Sequence, residues 1–231
     1  MIILERVLKI ITLDIRKKGF FKNLMISLFV VACILFLICT KGEVSIIPKI
    51  MLQIISYILL VVFSFSLTQE FSNKTDKMIF TGIFSRIEIM FSKLSSFIIA
   101  AMVCFIFYEI LSIVCNTFNS KMLLNNLYSF IVFAFTLGTF ELLISVFTSN
   151  FLLAGIIGYV LYFDLILALL NQALGSGRSE AVKQVIRSLP FYIANTGFYS
   201  GGYTVNQSII MICCGVLFLI SACAVIYRKD I

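Results

Sequence analysis

Six stretches of apolar residues decide what this chain can fold into: 21–40, 50–69, 94–115, 127–149, 151–172 and 208–227. A helix needs about 20 apolar residues to cross the hydrocarbon of a bilayer. No water is present there to satisfy backbone N–H and C=O groups, so only helices and closed barrels span it. Predominantly apolar runs of this length select the helix. Charged residues make up 13% of the chain, against about 25% in soluble domains. That is too little polar surface to cover a water-soluble globule. The expected fold is all-α and integral to the membrane, a single transmembrane domain over residues 1–231 with six spans. A cleavable signal peptide is not expected, because Glu5, Lys9 and Asp14 interrupt the first apolar stretch.

The basic residues predict an orientation. With six spans, one side receives Arg6, Lys9, Arg16, Lys17, Lys18, Lys22, Lys74, Lys77, Arg86, Lys93, Arg228 and Lys229. The other receives Lys41, Lys49, Lys121, Arg178, Lys183 and Arg187. The richer side is cytoplasmic by the positive-inside rule. The chain is therefore expected in the cell membrane, multi-pass, with both termini in the cytoplasm. The net charge of +7 is read as topology charge, and no nucleic-acid partner is expected.

Little of the sequence suggests bond-making chemistry. All seven cysteines (33, 39, 104, 115, 213, 214 and 223) lie in apolar runs without a CxxC pair, and there is no histidine. Buried free cysteine behaves as a small hydrophobe, so neither a disulfide framework nor a metal site is expected. Without histidine, HExxH and Ser-His-Asp arrangements cannot form. No GxxxxGK[ST] run occurs, which removes the P-loop cradle for nucleotide phosphates. An enzyme is not expected, nor a cofactor bound by this chain.

Three polar segments carry helical pattern. Over residues 1–19, Leu4, Leu8, Ile11 and Ile15 oppose Glu5, Lys9, Thr12 and Arg16, and Gly19 follows a cationic last turn. That predicts a helix lying in the headgroup plane. The segment 70–93 mixes Glu70, Asp76, Glu88, Lys74, Lys77, Arg86 and Lys93 with Met78, Ile79, Phe80, Ile83 and Phe84. It exceeds what a simple connection needs and predicts a short amphipathic helix whose exposed face could fit a groove in another protein. In segment 171–207, Gly175 and Gly177 break the fifth run. Val182, Val185, Ile186 and Leu189 then oppose Glu180, Lys183, Gln184 and Arg187, and Pro190 stops that run. Phe191, Tyr192, Phe198 and Tyr199 follow; they read either as an aromatic belt or as an external gate over a pathway.

Three acids fall inside the spans: Glu109 and Asp164 nearer the outer surface, Glu141 nearer the inner one. Each costs about 2.5–3.5 kcal/mol at the bilayer centre on insertion scales. They are expected to face protein or water, either as a relay for protons or ions, or as structural groups bonded to a hydroxyl or helix terminus. Ala154 and Gly158 form a small-xxx-small pair that lets helices approach closely.

An amphipathic N-terminal helix, six spans, a charged helical loop after span two and external helices before span six resemble the permease subunit of ABC-2-type exporters. Locally, Glu70 closing span two, Lys74-Thr75, Phe84-Ser85-Arg86 and Lys93 opening span three are similar to that family. Asp76 after Thr75, and Ile83-Phe84 where the family carries a proline, depart from it. The resemblance implies a half-transporter: two permease chains, as a homodimer or heterodimer, enclose a pathway, and two copies of a separate ABC ATPase subunit carry ATP and Mg. Residues 1–19 would be the elbow helix. Residues 73–86 would be the coupling helix, with Lys74, Thr75, Asp76, Phe80, Phe84 and Arg86 docking the ATPase, and re-entrant or amphipathic external helices would stand between spans five and six.

The Phe-rich spans, with 24 Phe and few charges, suit an amphipathic peptide or another hydrophobic cargo. Small Gram-positive permeases of this kind are similar to exporters of antimicrobial peptides, lantibiotics and phenol-soluble modulins. Two other readings remain: a proton-coupled secondary transporter using Glu109, Glu141 and Asp164, and a non-transporting membrane scaffold or immunity protein.

Overall fold

A computed structural model describes residues 8, 11–12, 20–39, 44–72, 86–148, 150–162, 164–175, 179–199 and 202–228. At 20, 65–72, 86, 151, 161–162, 164–165 and 228 it describes the backbone alone. The described residues are helical, without strands. The α-helices are α1 (Phe20–Ile38), α2 (Ile47–Ser72), α3 (Arg86–Val114), α4 (Leu123–Phe147), α5 (Phe151–Tyr162), α6 (Asp164–Gly175), α7 (Glu180–Arg187), α8 (Pro190–Tyr199) and α9 (Val205–Arg228). A single 3-10 turn, Val44–Ile46, leads into α2. Five helices, α1, α2, α3, α4 and α9, are long and apolar enough to cross a membrane. The chain is a multi-pass helical membrane protein.

Helix α4 is the axis of the bundle. In its apolar stretch 78% of residues are buried, against 22% in α1 and in α9. Helix α4 is thus sheathed by protein, while α1 and α9 turn wide apolar faces outward, as lipid-facing helices do. The hydroxyls along α4 are satisfied within the helix: Ser129 Oγ donates to Asn125 O at 2.7 Å, Thr136 Oγ1 to Val132 O at 2.8 Å and Ser145 Oγ to Leu142 O at 2.9 Å. Back-bonding of this kind removes the cost of burying a lone hydroxyl.

Side-chain contacts along α4 set the direction of its neighbours. Helix α3 runs antiparallel: Phe97 lies against Gly138, Phe105 against Phe130, and Glu109 against Asn126. Helix α9 runs parallel, with Met211 O beside Thr136, Gly215 beside Thr139 and Phe218 against Phe140. Helix α2 also runs parallel, Leu52 lying near Asn126 and Ser64 bonding Glu141. The ends of α2, α4 and α9 and the starts of α3 and α5 therefore gather at one end of the bundle, called here the α4–α5 end. The opposite end, where α3 stops and α4 begins, is the α3–α4 end. Asn116, just past α3, takes a left-handed φ of 57°, as asparagine does after helix C-termini.

Two boundaries differ from the sequence reading. The segment 70–93 is not one loop: residues 70–72 extend α2 and residues 86–93 open α3. Glu88 and Lys93, which read as loop charges, are 8% and 6% exposed within the helix. Glu88 stands in the first turn, where the helix dipole favours an acid. Over the run 151–172 two helices of 12 residues each are described, α5 and α6, on either side of residue 163, which lies outside the described residues. At 1.5 Å per residue each is about 18 Å long, short of the roughly 30 Å a span requires. Asp164 is the first residue of α6, a position that suits an acidic residue. Of the segment 1–19 only Leu8, Ile11 and Thr12 are described. They are helical, with Thr12 Oγ1 bonding Leu8 O at 3.0 Å and Ile11 buried.

Candidate functional site

Polar side chains meet at two places along α4. The deeper one lies toward the α4–α5 end. Glu141 is fully buried, and Ser64 of α2 donates its hydroxyl proton to Oε2 at 2.6 Å. The other oxygen, Oε1, has no hydrogen-bond partner among the described residues. It lies against Gly158 of α5, where an added Cβ would run into Oε1 and stand 2.8 Å from Leu60 Cδ1. Glycine at 158 is thus what allows α5 to close on the carboxyl. Ala154, the other member of the small-residue pair read from sequence, is also fully buried.

The second place is at the α3–α4 end. Asn126 Nδ2 donates to Glu109 Oε1 at 2.9 Å, and Glu109 is 8% exposed. Beside this pair a half-open cleft holds about 20 Å³ of free space, lined by Leu52, Tyr108, Asn126, Ser129, Phe130 and Phe198. That is room for a single water-sized group. Four helices contribute to it: α2, α3, α4 and α8.

Helix α8 brings the aromatic residues of segment 171–207 into the bundle. Pro190 is its first residue, the helical position that tolerates a missing N–H. Phe191 meets Phe140 edge-on at 5.3 Å, while Phe198 stacks on Phe133 at 4.2 Å and meets Phe130 edge-on at 5.0 Å. Such pairs contribute about 0.5–1.5 kcal/mol each beyond burial. Helix α8 therefore lies antiparallel to α4, from about 10 Å inside the α4–α5 end upward at 1.5 Å per residue. Tyr199 Oη shares a 2.8 Å hydrogen bond with Ser56 Oγ of α2. Tyr192 is half-buried, and its carbonyl accepts the Thr196 hydroxyl at 2.6 Å. After α8 the chain reverses: Gly202, at φ 142°, donates its N–H to Gly197 O at 2.9 Å, and Tyr203 Oη donates to Ala194 O at 2.6 Å. A side chain at 202 would require a backbone conformation that L-residues rarely adopt.

The residues singled out in the sequence are not gathered into one site. Glu141, on α4, and Glu109, on α3, lie toward opposite ends of the bundle, and Asp164 begins α6. Lys74, Thr75, Asp76, Phe80 and Phe84 lie outside the described residues, and Arg86 is the first residue of α3. Ser64, Asn126, Ser129 and Tyr108 were not anticipated. Ser64 stands 77 residues from Glu141 and leaves no local signal. Asn126 is 17 residues from Glu109, just beyond the turn joining α3 to α4, and could have been found by pairing the two helix ends. Among the described residues no group of three metal-ligating side chains occurs. The chain matches no protein-family model and no curated protein.

Proposed function

We propose that the chain is the transmembrane permease subunit of an ATP-driven exporter of the ABC-2 type. It moves an amphipathic peptide or a similarly hydrophobic molecule out of the cell, with the energy supplied by a separate ATPase. The observation that supports this most is α8: a short aromatic helix that rises inside the bundle immediately before the last long helix, as the resemblance implies for the region before span six. In this reading α5 and α6 together make the fifth of six crossings. The α4–α5 end faces the cytoplasm and both termini lie on that side of the cell membrane. Residues 1–19 form the elbow. The segment 73–86 joins α2 to α3 at the cytoplasmic end and docks the ATPase through Lys74, Thr75, Asp76, Phe80, Phe84 and Arg86. Two permease chains and two ATPase copies complete the transporter, and ATP and Mg bind the ATPase.

The physical logic is transmission through rigid elements. Closure of the ATPase pair displaces the link between α2 and α3. Both helices pack on α4, so their displacement reaches α5 and α8 through the Glu141 contact and the aromatic stack. The experiment is reconstitution of the chain with its ATPase in liposomes. Changing Asp76, Phe80 or Arg86 is expected to leave insertion intact while uncoupling hydrolysis from export; coupled export by those variants would overturn the docking assignment.

The buried Ser64–Glu141 pair supports a second reading, a secondary transporter driven by protons. It predicts transport under a pH gradient without ATP and loss of that transport in Glu141→Gln.

A further inference from the structure

We propose that the cleft at the α3–α4 end receives an ammonium group. Two of the protons around the cleft are already committed. The Asn126 amide gives one N–H to Glu109 and keeps its second N–H and its carbonyl oxygen. The Ser129 hydroxyl donates to Asn125 O at 2.7 Å, which leaves its lone pairs. The remaining walls are the rings of Tyr108, Phe130 and Phe198, with Leu52 closing one side. Tyr108 and Phe130 stand 5.9 Å apart, and Phe130 and Phe198 meet edge-on.

The cleft therefore presents the lone pairs of Asn126 Oδ1 and Ser129 Oγ, the second Asn126 N–H and three aromatic rings, while the Tyr108 hydroxyl bonds the Ser112 side chain. The Glu109 carboxyl stands directly behind Asn126. Two acceptors, aromatic rings and a neighbouring acid favour a small cationic donor. The free space, about 20 Å³, fits a primary ammonium and excludes a bulky head. Glu109 forms no ion pair with any described lysine or arginine. The source of the ammonium is either a soluble amine, including a lysine side chain of a peptide, or an aminophospholipid headgroup. The inference concerns binding alone and stands whether or not the chain exports anything, so its failure leaves the export reading intact.

The test is titration calorimetry of the full chain in phosphatidylcholine nanodiscs, whose lipids carry no ammonium N–H, with n-octylammonium as probe. Saturable binding is expected for octylammonium and not for n-octanol. Glu109→Gln keeps an acceptor for Asn126 but removes the acid, and is expected to weaken binding about tenfold or more. Ser129→Ala removes one acceptor and is expected to weaken it several-fold, which keeps the test decisive if Glu109→Gln proves unstable. Exchanging the lipid for phosphatidylethanolamine distinguishes the sources: a weaker apparent affinity identifies a lipid as occupant, an unchanged one a soluble amine. Equal binding of octanol and octylammonium, or undiminished binding in both variants, would overturn the proposal.

Discussion

The Ser64 hydroxyl and the Glu141 carboxyl join α2 to α4 through a 2.6 Å hydrogen bond that no solvent reaches. It is the polar link between the helix that ends at the 73–85 segment and the helix at the centre of the bundle. An acid buried this completely depends on the partner it has, because an unsatisfied polar group inside apolar surroundings is expensive.

Ser64→Ala should therefore lower stability by about 1–3 kcal/mol, the cost of leaving a buried acceptor unpaired. In Glu141→Leu, where no acceptor remains, the same serine change should cost much less. Thermal unfolding in detergent of the two single variants and the double variant forms a cycle that checks this. Additive effects would mean that the two side chains are not coupled.

Gly158→Ala tests the other side of the same carboxyl. The added methyl meets Glu141 Oε1 and Leu60 Cδ1, and overpacking of this kind costs about 1–3 kcal/mol. Combining it with Glu141→Ala opens the needed space, so the double variant should recover stability relative to Glu141→Ala alone. Gly175→Ala, where nothing lies within 4 Å of the added atom, should be neutral in the same assay.

Phe198 is 2% exposed and touches both Phe130 and Phe133. Phe198→Ala should cost about 3–5 kcal/mol, as large-to-small changes in packed cores do. Val205, at the start of α9, is 74% exposed, and Val205→Ala should leave the unfolding temperature within a degree or two, roughly the scatter of surface changes.

The register of α2, α3, α4 and α9 places the 73–85 link and the end of α9 at one end of the bundle. Single cysteines introduced at 77 and at 229, in a chain whose own seven cysteines are replaced, should be labelled from the same side of a sealed vesicle by a membrane-impermeant maleimide. A cysteine at 121, in the turn between α3 and α4, should be labelled from the other. Labelling of 77 and 121 from one side would contradict the helix directions.

The long helices were legible because a membrane span announces itself by uninterrupted apolar residues, and α1, α2, α4 and α9 fall within a few residues of the runs in the sequence. The start of α3 was not. Hydropathy assigns Glu88 and Lys93 to solvent, whereas the helix carries both into the protein. The break before Asp164 was hidden for the opposite reason: residues 151–163 and 165–170 are apolar on both sides of it, and only the acid itself marks the boundary. The stop at Gly175 and the helix after Ser179 were readable from glycine and from amphipathic spacing. Burial of Phe191 and Phe198 was not, since aromatic residues near a span end suit a headgroup belt equally well. The acids were visible as costly residues, but their partners Ser64 and Asn126 were not, because a partner is chosen by helix packing and not by distance along the chain.

In the proposed reading the chain forms a conduit whose energy comes from a separate ATPase docked at the link between α2 and α3. The most direct measurement is affinity purification of the tagged chain from its own membranes in mild detergent, followed by liposome transport of a fluorescent amphipathic peptide with and without ATP. The account predicts a co-purifying ATPase, export that requires ATP, and loss of both on replacing residues 74–80 with a Gly-Ser linker. Transport by the chain alone under a pH gradient, indifferent to ATP and to that replacement, would contradict it.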